Sequence, residues 1–125
     1  MRDADIPEIL WLTQTEEHDY PAAGSYLCLI YAPQKVAALV QALRDADYTK
    51  FKAKDIFRAS RLSLLGVSNS HVERDLHKIK NGVALSPLLL VRDENNAQVV
   101  IADGYHRLCA IYACHEDAEI TCKIV

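Results

Sequence analysis

The pattern of apolar and polar residues in the second half of the chain predicts buried strands, a helix and a last strand. Residues 88–91 (LLLV) and 98–102 (QVVIA) are short apolar runs, and the polar segment 93–96 (DENN) separates them. Such a pair is typical of a hairpin of two buried strands. Helical spacing follows over residues 105–114, and residues 120–125 form a last apolar strand.

A further strand and a short helix are predicted near the middle of the chain. Residues 50–54 (KFKAK) alternate between lysine and apolar side chains, which is typical of a strand. Asp55 follows, and an aspartate in this position is typical of a helix N-cap. Ile56 and Phe57 would then form the apolar side of a short helical stretch.

Residues 71–80 predict an amphipathic helix. Three apolar residues share one face of it at helical spacing: Val72, Leu76 and Ile79. The segment Ser68-Asn69-Ser70 predicts a turn and the start of this helix. Asn81-Gly82 predicts its end, because glycine readily adopts the left-handed conformation that follows a helix.

The first 47 residues predict two helices after a short apolar element at 6–12. Proline at position 21 suits the first turn of a helix over residues 21–31, although the run Tyr26–Tyr31 also fits a strand. A second helix is predicted over residues 33–46, which begin with proline.

Together these elements predict an α+β fold in which a small mixed sheet packs against helices. The whole chain, residues 1–125, is expected to form a single domain. Within it, residues 1–47 form a helical N-terminal extension and residues 48–125 form the core. The oligomeric state is left open, and a homo-oligomer is compatible with the sequence.

Composition and charge narrow the class of protein. The 125 residues are 50% hydrophobic and 25% charged, as in ordinary globular domains. The net charge of −3 argues against a non-specific nucleic-acid binder, which needs a basic surface. No apolar run suits a membrane-spanning helix, and the start of the sequence lacks the form of a signal peptide. We therefore expect a cytoplasmic protein with no membrane partner, whose four cysteines are buried thiols.

The strand-to-helix turn at residues 103–107 (DGYHR) has the chemistry of an anion site. A helix that begins here offers unpaired backbone N–H groups and the positive end of its dipole. Gly104 would let an anion approach the backbone, while Arg107 offers a planar fork of donors and His106 a further donor. Asp103 would cap the helix or hold a metal ion that bridges to a phosphate. The alternative is an ordinary surface turn.

Three donors on the predicted helix at 71–80 extend this hypothesis. His71, Arg74 and Lys78 are spaced at i, i+3 and i+7, away from the apolar stripe. If this helix packs beside the turn at 103–107, both segments would line one electropositive pocket. The alternative is a solvated face of a surface helix.

The core segment, residues 48–125, resembles the ParB/sulfiredoxin superfamily in the order of its strands and helices. The motif that carries the resemblance is glycine-x-x-arginine followed by a small residue: Gly104, Arg107 and Ala110. The form DGYHR is similar to the DGHHR of the superfamily's free-serine kinases and to the GCHR of sulfiredoxins.

The resemblance implies a nucleotide ligand. In the superfamily this motif binds the phosphates of ATP, ADP or CTP, which implies the same role for Gly104, Tyr105, His106 and Arg107. The ATP-contacting lysine, serine and threonine of sulfiredoxins would fall on His71, Arg74 and Lys78. Mg²⁺ would accompany the nucleotide and neutralise its phosphates.

Departures from the superfamily's pattern limit the reaction. Tyr105 stands where sulfiredoxins have their reactive cysteine, so sulfinate reduction is not expected, and Cys109 lies one helical turn beyond. The sequence ends at Val125 without a helix-turn-helix, so sequence-specific DNA binding by this chain alone is not expected. The free-serine kinases use a glutamate base near the first strand, and Asp55 is the best local candidate for that role.

The leading prediction is a protein that binds a nucleotide or another phosphate-bearing ligand. If it is an enzyme, the reaction is phosphoryl transfer or nucleotide hydrolysis, with Asp55 and Asp103 as catalytic residues. The first alternative is a non-catalytic regulatory or protein-interaction module with the same fold, and the second is a nuclease. An acid across the pocket from Arg107 would favour an enzyme, and its absence would favour a module. No residue is assigned to a metal.

Overall fold

The computed structural model describes residues 7–66 and 69–125, which form five α-helices around a four-stranded sheet. The N-terminal part contains α1 (Asp19–Leu27) and α2 (Pro33–Asp45). The elements that follow are β1 (Thr49–Lys52), α3 (Ala53–Ser60), α4 (Ser70–Lys80), β2 (Leu88–Asp93), β3 (Gln98–Asp103), α5 (Tyr105–Cys114) and β4 (Glu119–Ile124). Ile6 and Ser68, which the sequence placed in an apolar element and a turn, lie outside the described residues.

The sheet is mixed, with the strand order β1-β4-β2-β3. β2 and β3 pair in antiparallel orientation as a hairpin, and β1 and β4 also run antiparallel. β2 and β4 are parallel, with Leu88 opposite Cys122 and Leu90 opposite Ile124. The predicted α+β fold with a small mixed sheet is therefore confirmed.

Helices cover both faces of the sheet. Leu88 and Leu90 of β2 belong to the apolar cluster that includes residues of α3, α4 and α5. Leu89 and Val91 belong to the opposite cluster, with residues of α1 and α2. Because successive side chains of a strand point to opposite faces, a strand buried on both sides is apolar throughout. This burial explains the unbroken apolar run of β2.

A buried lysine joins the N-terminal helices to the sheet. Lys123 of β4 is only 6% exposed, and its Nζ donates to the Tyr20 hydroxyl at 3.1 Å and to the Arg44 carbonyl at 2.9 Å. Tyr20 lies on α1 and Arg44 on α2. The N-terminal extension is thus joined to the sheet by these hydrogen bonds as well as by apolar packing.

Two local expectations for the middle of the chain are wrong. Ala53 and Lys54 belong to α3 and not to the preceding strand, and the N-cap of α3 is Lys52 and not Asp55. The first N–H groups of α3 donate to the carbonyls of Ala118 and Glu116, each at 2.9 Å. The loop after α5 therefore provides the capping that we expected from the Asp55 side chain.

The N-terminal helices and the cysteines also differ in part from expectation. The helix expected over residues 21–31 spans Asp19–Leu27, and Tyr26–Tyr31 is not a strand, since the chain after α1 continues in turns. Cys109 and Cys122 are buried as expected, whereas Cys114 is half-buried and Cys28 is exposed beyond the end of α1. None of the helices in the described part of the chain combines the length and apolarity needed to cross a membrane.

Candidate functional site

A small cavity of about 190 Å³ lies where α4 meets the turn between β3 and α5. From α4 it is lined by His71, Arg74, Asp75 and Lys78. From the turn it is lined by Asp103, Gly104, Tyr105, His106 and Arg107. The structure thus brings together the two segments that the sequence singled out.

The local fold of α4 and α5 places these side chains. Asn69 caps α4, and its side-chain oxygen accepts hydrogen bonds from the N–H groups of His71 and Val72. Of the predicted apolar stripe, Val72 and Ile79 are buried and Leu76 is half-buried, and Arg74 of the same helix lines the cavity. Gly104 is the N-cap of α5 and has no side chain that could cap the helix, so its first turn presents backbone N–H groups.

Gly104 also has a structural role, in addition to the predicted one, which stays a prediction. Its φ is +110°, a backbone conformation that side chains with a Cβ rarely adopt. A Cβ placed there would lie 2.6 Å from Leu88 Cγ and 3.0 Å from Arg107 Nη2. The space that a Cβ at position 104 would need is therefore occupied by the side chains of Leu88 and Arg107.

Arg107 is held by two carboxylates. Its Nη2 donates to Asp103 Oδ2 at 2.9 Å and lies 3.6 Å from Asp19 Oδ2 of α1. Asp19 Oδ2 also accepts a hydrogen bond of 2.6 Å from the Ser86 hydroxyl. Because the Arg107 side chain is only 18% exposed, this ion-pair network is largely shielded from water.

The network corrects one of the predicted roles of Asp103, that of a helix cap, while its metal-holding and catalytic roles stay predictions. Its carboxylate does not cap α5, since it is engaged by the guanidinium of Arg107. Burial, together with the neighbouring Asp19 carboxylate, raises the pKa of Asp103 even though Arg107 acts in the opposite direction. Asp103 therefore helps to fix Arg107 in place.

Asp75 is the residue of this cavity that sequence reasoning missed. It is only 8% exposed, and no side chain in residues 7–66 and 69–125 forms a hydrogen bond or a close ion pair with it. Burial raises the pKa of Asp75, although Arg107, Lys78, His106 and Arg74 favour its charged form. The signal was present in the sequence, because Val72, Asp75 and Ile79 share one helix face.

Two histidines form part of the cavity wall. The rings of His71 and His106 lie 4.7 Å apart between centroids, at an angle of 36°. Burial lowers the pKa of His106, the nearby His71 and Arg107 act in the same direction, and Asp75 opposes them. This shift favours the neutral imidazole, in which one ring nitrogen of His106 can donate a hydrogen bond without bringing a charge.

The structure gives no support to thiol chemistry at this site. The Tyr105 hydroxyl donates to the Ser63 carbonyl, and the Tyr105 ring lies 6.5 Å from that of Phe57. Cys109 is fully buried, and this burial raises the pKa of its thiol. A reactive cysteine needs the opposite shift, because the thiolate is the nucleophile.

Asp55 does not line the cavity with the other predicted residues. It lies on α3, where its carboxylate is 3.8 Å from Arg58 Nη2, and it contributes to a separate cavity of about 660 Å³. The catalytic role suggested for Asp55 stays a prediction. Asp55 does not line the cavity that contains Arg107, so any such role would belong to a different part of the surface.

The carboxylates of the cavity could bind Mg²⁺ only together with a bound phosphate, which would supply the remaining oxygen ligands. The residues that the structure describes contain no group of three or more His, Cys, Asp or Glu that could hold a metal ion. In phosphate sites, however, Mg²⁺ is commonly held by one or two carboxylates and by the phosphates themselves. Asp75 is the residue that would supply such a carboxylate, since that of Asp103 is bonded to Arg107.

We expect Asp75→Asn to raise the melting temperature at pH 7. The raised pKa means that the ionised carboxyl destabilises the fold above that pKa, because the folded state binds its proton more tightly than the unfolded state does. The advantage of the variant should shrink as the pH falls and the wild-type carboxyl takes up a proton. Melting curves between pH 4 and pH 8 test this, and a less stable variant at pH 7 would contradict it.

Comparisons with protein-family models, with curated proteins and with solved structures gave no match for this chain. The resemblance to the ParB/sulfiredoxin superfamily therefore stays a prediction from the sequence motif and the order of elements. What the structure itself provides is an α+β fold with a small polar cavity beside the motif.

Proposed function

We propose that this chain binds a phosphate-bearing ligand, a nucleotide or a phosphorylated small molecule, in the cavity between α4 and the start of α5. The observation that carries the proposal is the convergence of donors from two distant segments on one small cavity. Arg74, Lys78, His71 and His106 surround the space in front of the N-terminus of α5. Guanidinium, ammonium and helix N–H groups are the donors that phosphates prefer.

The positive charge for the ligand comes from α4 more than from the motif arginine. Arg107 is already paired with Asp103 and lies close to Asp19. Neither Arg74 nor Lys78 forms an ion pair with any carboxylate in residues 7–66 and 69–125. These two cations are therefore the ones that a phosphate would neutralise.

The size of the cavity limits what enters it. Cavities for drug-sized ligands measure about 300–1,000 Å³, whereas this cavity measures about 190 Å³. A phosphate with a few further atoms fits such a space. The base of a nucleotide would lie outside the cavity. Among the described lining residues, the aromatic side chains are those of Tyr105, His71 and His106.

A thermal-shift series tests the proposal. ATP, ADP, CTP, GTP and inorganic phosphate are each titrated with and without Mg²⁺. A ligand that binds only the folded state raises the melting temperature in proportion to the logarithm of its concentration. If none of these compounds changes the melting temperature at millimolar concentration, the proposal is wrong.

Arg74→Glu should weaken the binding of the best ligand by at least about tenfold, because it removes a charge-assisted hydrogen bond worth roughly 1.5–3 kcal/mol and adds a repelling carboxylate. Arg74→Lys keeps the charge and should lose less. Titrations at two salt concentrations should show the larger effect at low salt.

Lys80→Glu is the matched control, since Lys80 lies on the same helix but does not line the cavity. Equal losses in the two charge reversals would point to a general charge effect and remove α4 from the site.

One observation favours a non-catalytic module as a second candidate. The motif arginine is engaged by carboxylates within the fold, and this engagement leaves it fewer donors for a reacting phosphate. Asp75 argues for an enzyme, because a largely buried carboxylate in the same cavity as the phosphate donors can accept the proton of an attacking hydroxyl. Release of phosphate from the ligand that gives the largest thermal shift, measured for wild type and Asp75→Asn, distinguishes the two candidates.

A further inference from the structure

We propose that Asp75 makes the cavity selective for phosphate esters that carry a hydroxyl group close to the phosphate. This inference rests on the proposed phosphate site and names the class of ligand. Two sources share this chemistry: a free sugar phosphate and the ribose phosphate part of a nucleotide.

The first step of the argument is the state of Asp75 without a ligand. Asp75 as a residue is only 8% exposed and lines the cavity, and no side chain in residues 7–66 and 69–125 donates a hydrogen bond to its carboxylate. An ionised carboxylate accepts hydrogen bonds and donates none. A largely desolvated carboxylate that the protein leaves without a donor is stabilised by a hydrogen bond, so a ligand that brings a donor into the cavity is favoured.

The second step concerns the kind of donor. Arg74 and Lys78, the two lining cations without a paired carboxylate in residues 7–66 and 69–125, would repel a ligand ammonium group in this cavity. A hydroxyl is a neutral donor and avoids this repulsion. A cavity of about 190 Å³ also requires the hydroxyl to lie within a few bonds of the phosphate that occupies the donor side.

The third step is the effect of Asp75 on a ligand that has no donor. A phosphate ester without a hydroxyl brings its negative charge beside the Asp75 carboxylate and cannot donate a hydrogen bond to it. Its second pKa is about 6, so at pH 8 it carries no P–OH that could donate instead. Sites built to bond a hydroxyl discriminate strongly against analogues that lack it, because their buried polar group is left unpaired.

The test compares ligands in pairs by calorimetric titration at pH 8. Ribose 5-phosphate is compared with methyl phosphate, and AMP is compared with 2′,3′-dideoxy-AMP. Wild type should bind the hydroxylated member of at least one pair roughly tenfold more tightly, the equivalent of one charge-assisted hydrogen bond. The pair that shows the preference identifies the source, a free sugar phosphate or a nucleotide.

Variants of Asp75 locate the preference. In Asp75→Ala the ratio within the selective pair should fall close to one, and methyl phosphate should bind more tightly than to wild type because a like charge is gone. Asp75→Asn keeps an acceptor without the charge and should give an intermediate ratio. Glu73→Ala is the matched control, because Glu73 is an exposed acid of the same helix that does not line the cavity, and it should leave the ratio unchanged.

Two negative results are distinguishable. If methyl phosphate, ribose 5-phosphate and both nucleotides bind with equal affinity, or if the preference survives in Asp75→Ala, the inference is overturned while the phosphate site stands. If none of these compounds binds to wild type, the proposed function fails, and the inference fails with it.

Discussion

Arg107→Ala is expected to lower the free energy of unfolding by about 3–5 kcal/mol, the usual cost of breaking a buried ion pair from one side. The change leaves the carboxylates of Asp103 and Asp19 without their cation, and Asp19 is only 3% exposed. Stabilities of small domains are about 5–15 kcal/mol, so the loss is a large fraction of the total. Urea denaturation followed by circular dichroism measures it.

Arg58→Ala provides the matched control for this prediction. Arg58 also pairs with an aspartate, since its Nη2 lies 3.8 Å from Asp55 Oδ1, but its side chain is 88% exposed. An exposed pair contributes about 0–1 kcal/mol, so this variant should unfold close to wild type. If Arg107→Ala also unfolds at the wild-type urea concentration, Arg107 is free for a ligand, as the sequence alone suggested.

The pH dependence of the Arg107→Ala variant gives an independent check. The pKa of Asp103 is already raised in the wild type, and removing the guanidinium raises it further, since Arg107 is the group that favours the charged form. A carboxyl with a raised pKa destabilises the folded state above that pKa and ceases to do so when protonated. The stability difference between variant and wild type should therefore become smaller as the pH is lowered from 7 toward 4.

Gly104→Ala should destabilise the protein through two separate effects. A left-handed backbone at a residue with a Cβ costs about 1–3 kcal/mol, and the φ of Gly104 is +110°. Overpacking costs about a further 1–3 kcal/mol, because the new Cβ would lie 2.6 Å from Leu88 Cγ and 3.0 Å from Arg107 Nη2. Thermal and urea unfolding of the variant measure the sum.

Gly82→Ala separates the two effects. Gly82 also has a positive φ, +69°, but nothing lies within 4 Å of a Cβ placed there. This variant should therefore lose only the backbone part, about 1–3 kcal/mol. Equal losses at positions 82 and 104 would show that the contacts with Leu88 and Arg107 relax without cost, and would contradict the close packing around the turn.

The elements that the sequence predicted best are those specified by local patterns. The hairpin β2–β3 and the helix α5 follow from two apolar runs, a polar turn and the Asp-Gly step that ends β3. The stripe of α4 likewise predicted which of its sides is buried, because the periodicity of a helix is a property of neighbouring residues. By contrast, the start of α3 depends on carbonyls of the loop after α5, which no local pattern reveals.

The residues of the candidate site divide in the same way. The sequence by itself determined which segments carry donors for an anion: the turn with Arg107 and the row with Arg74 and Lys78. Only the tertiary structure decided how those charges are used. Asp19 approaches Arg107 from α1, far away in the chain, while Asp75 is buried among cations without a partner in the described residues. Desolvation and ion pairing depend on groups brought together by folding, and these interactions decide which cations are left for a ligand.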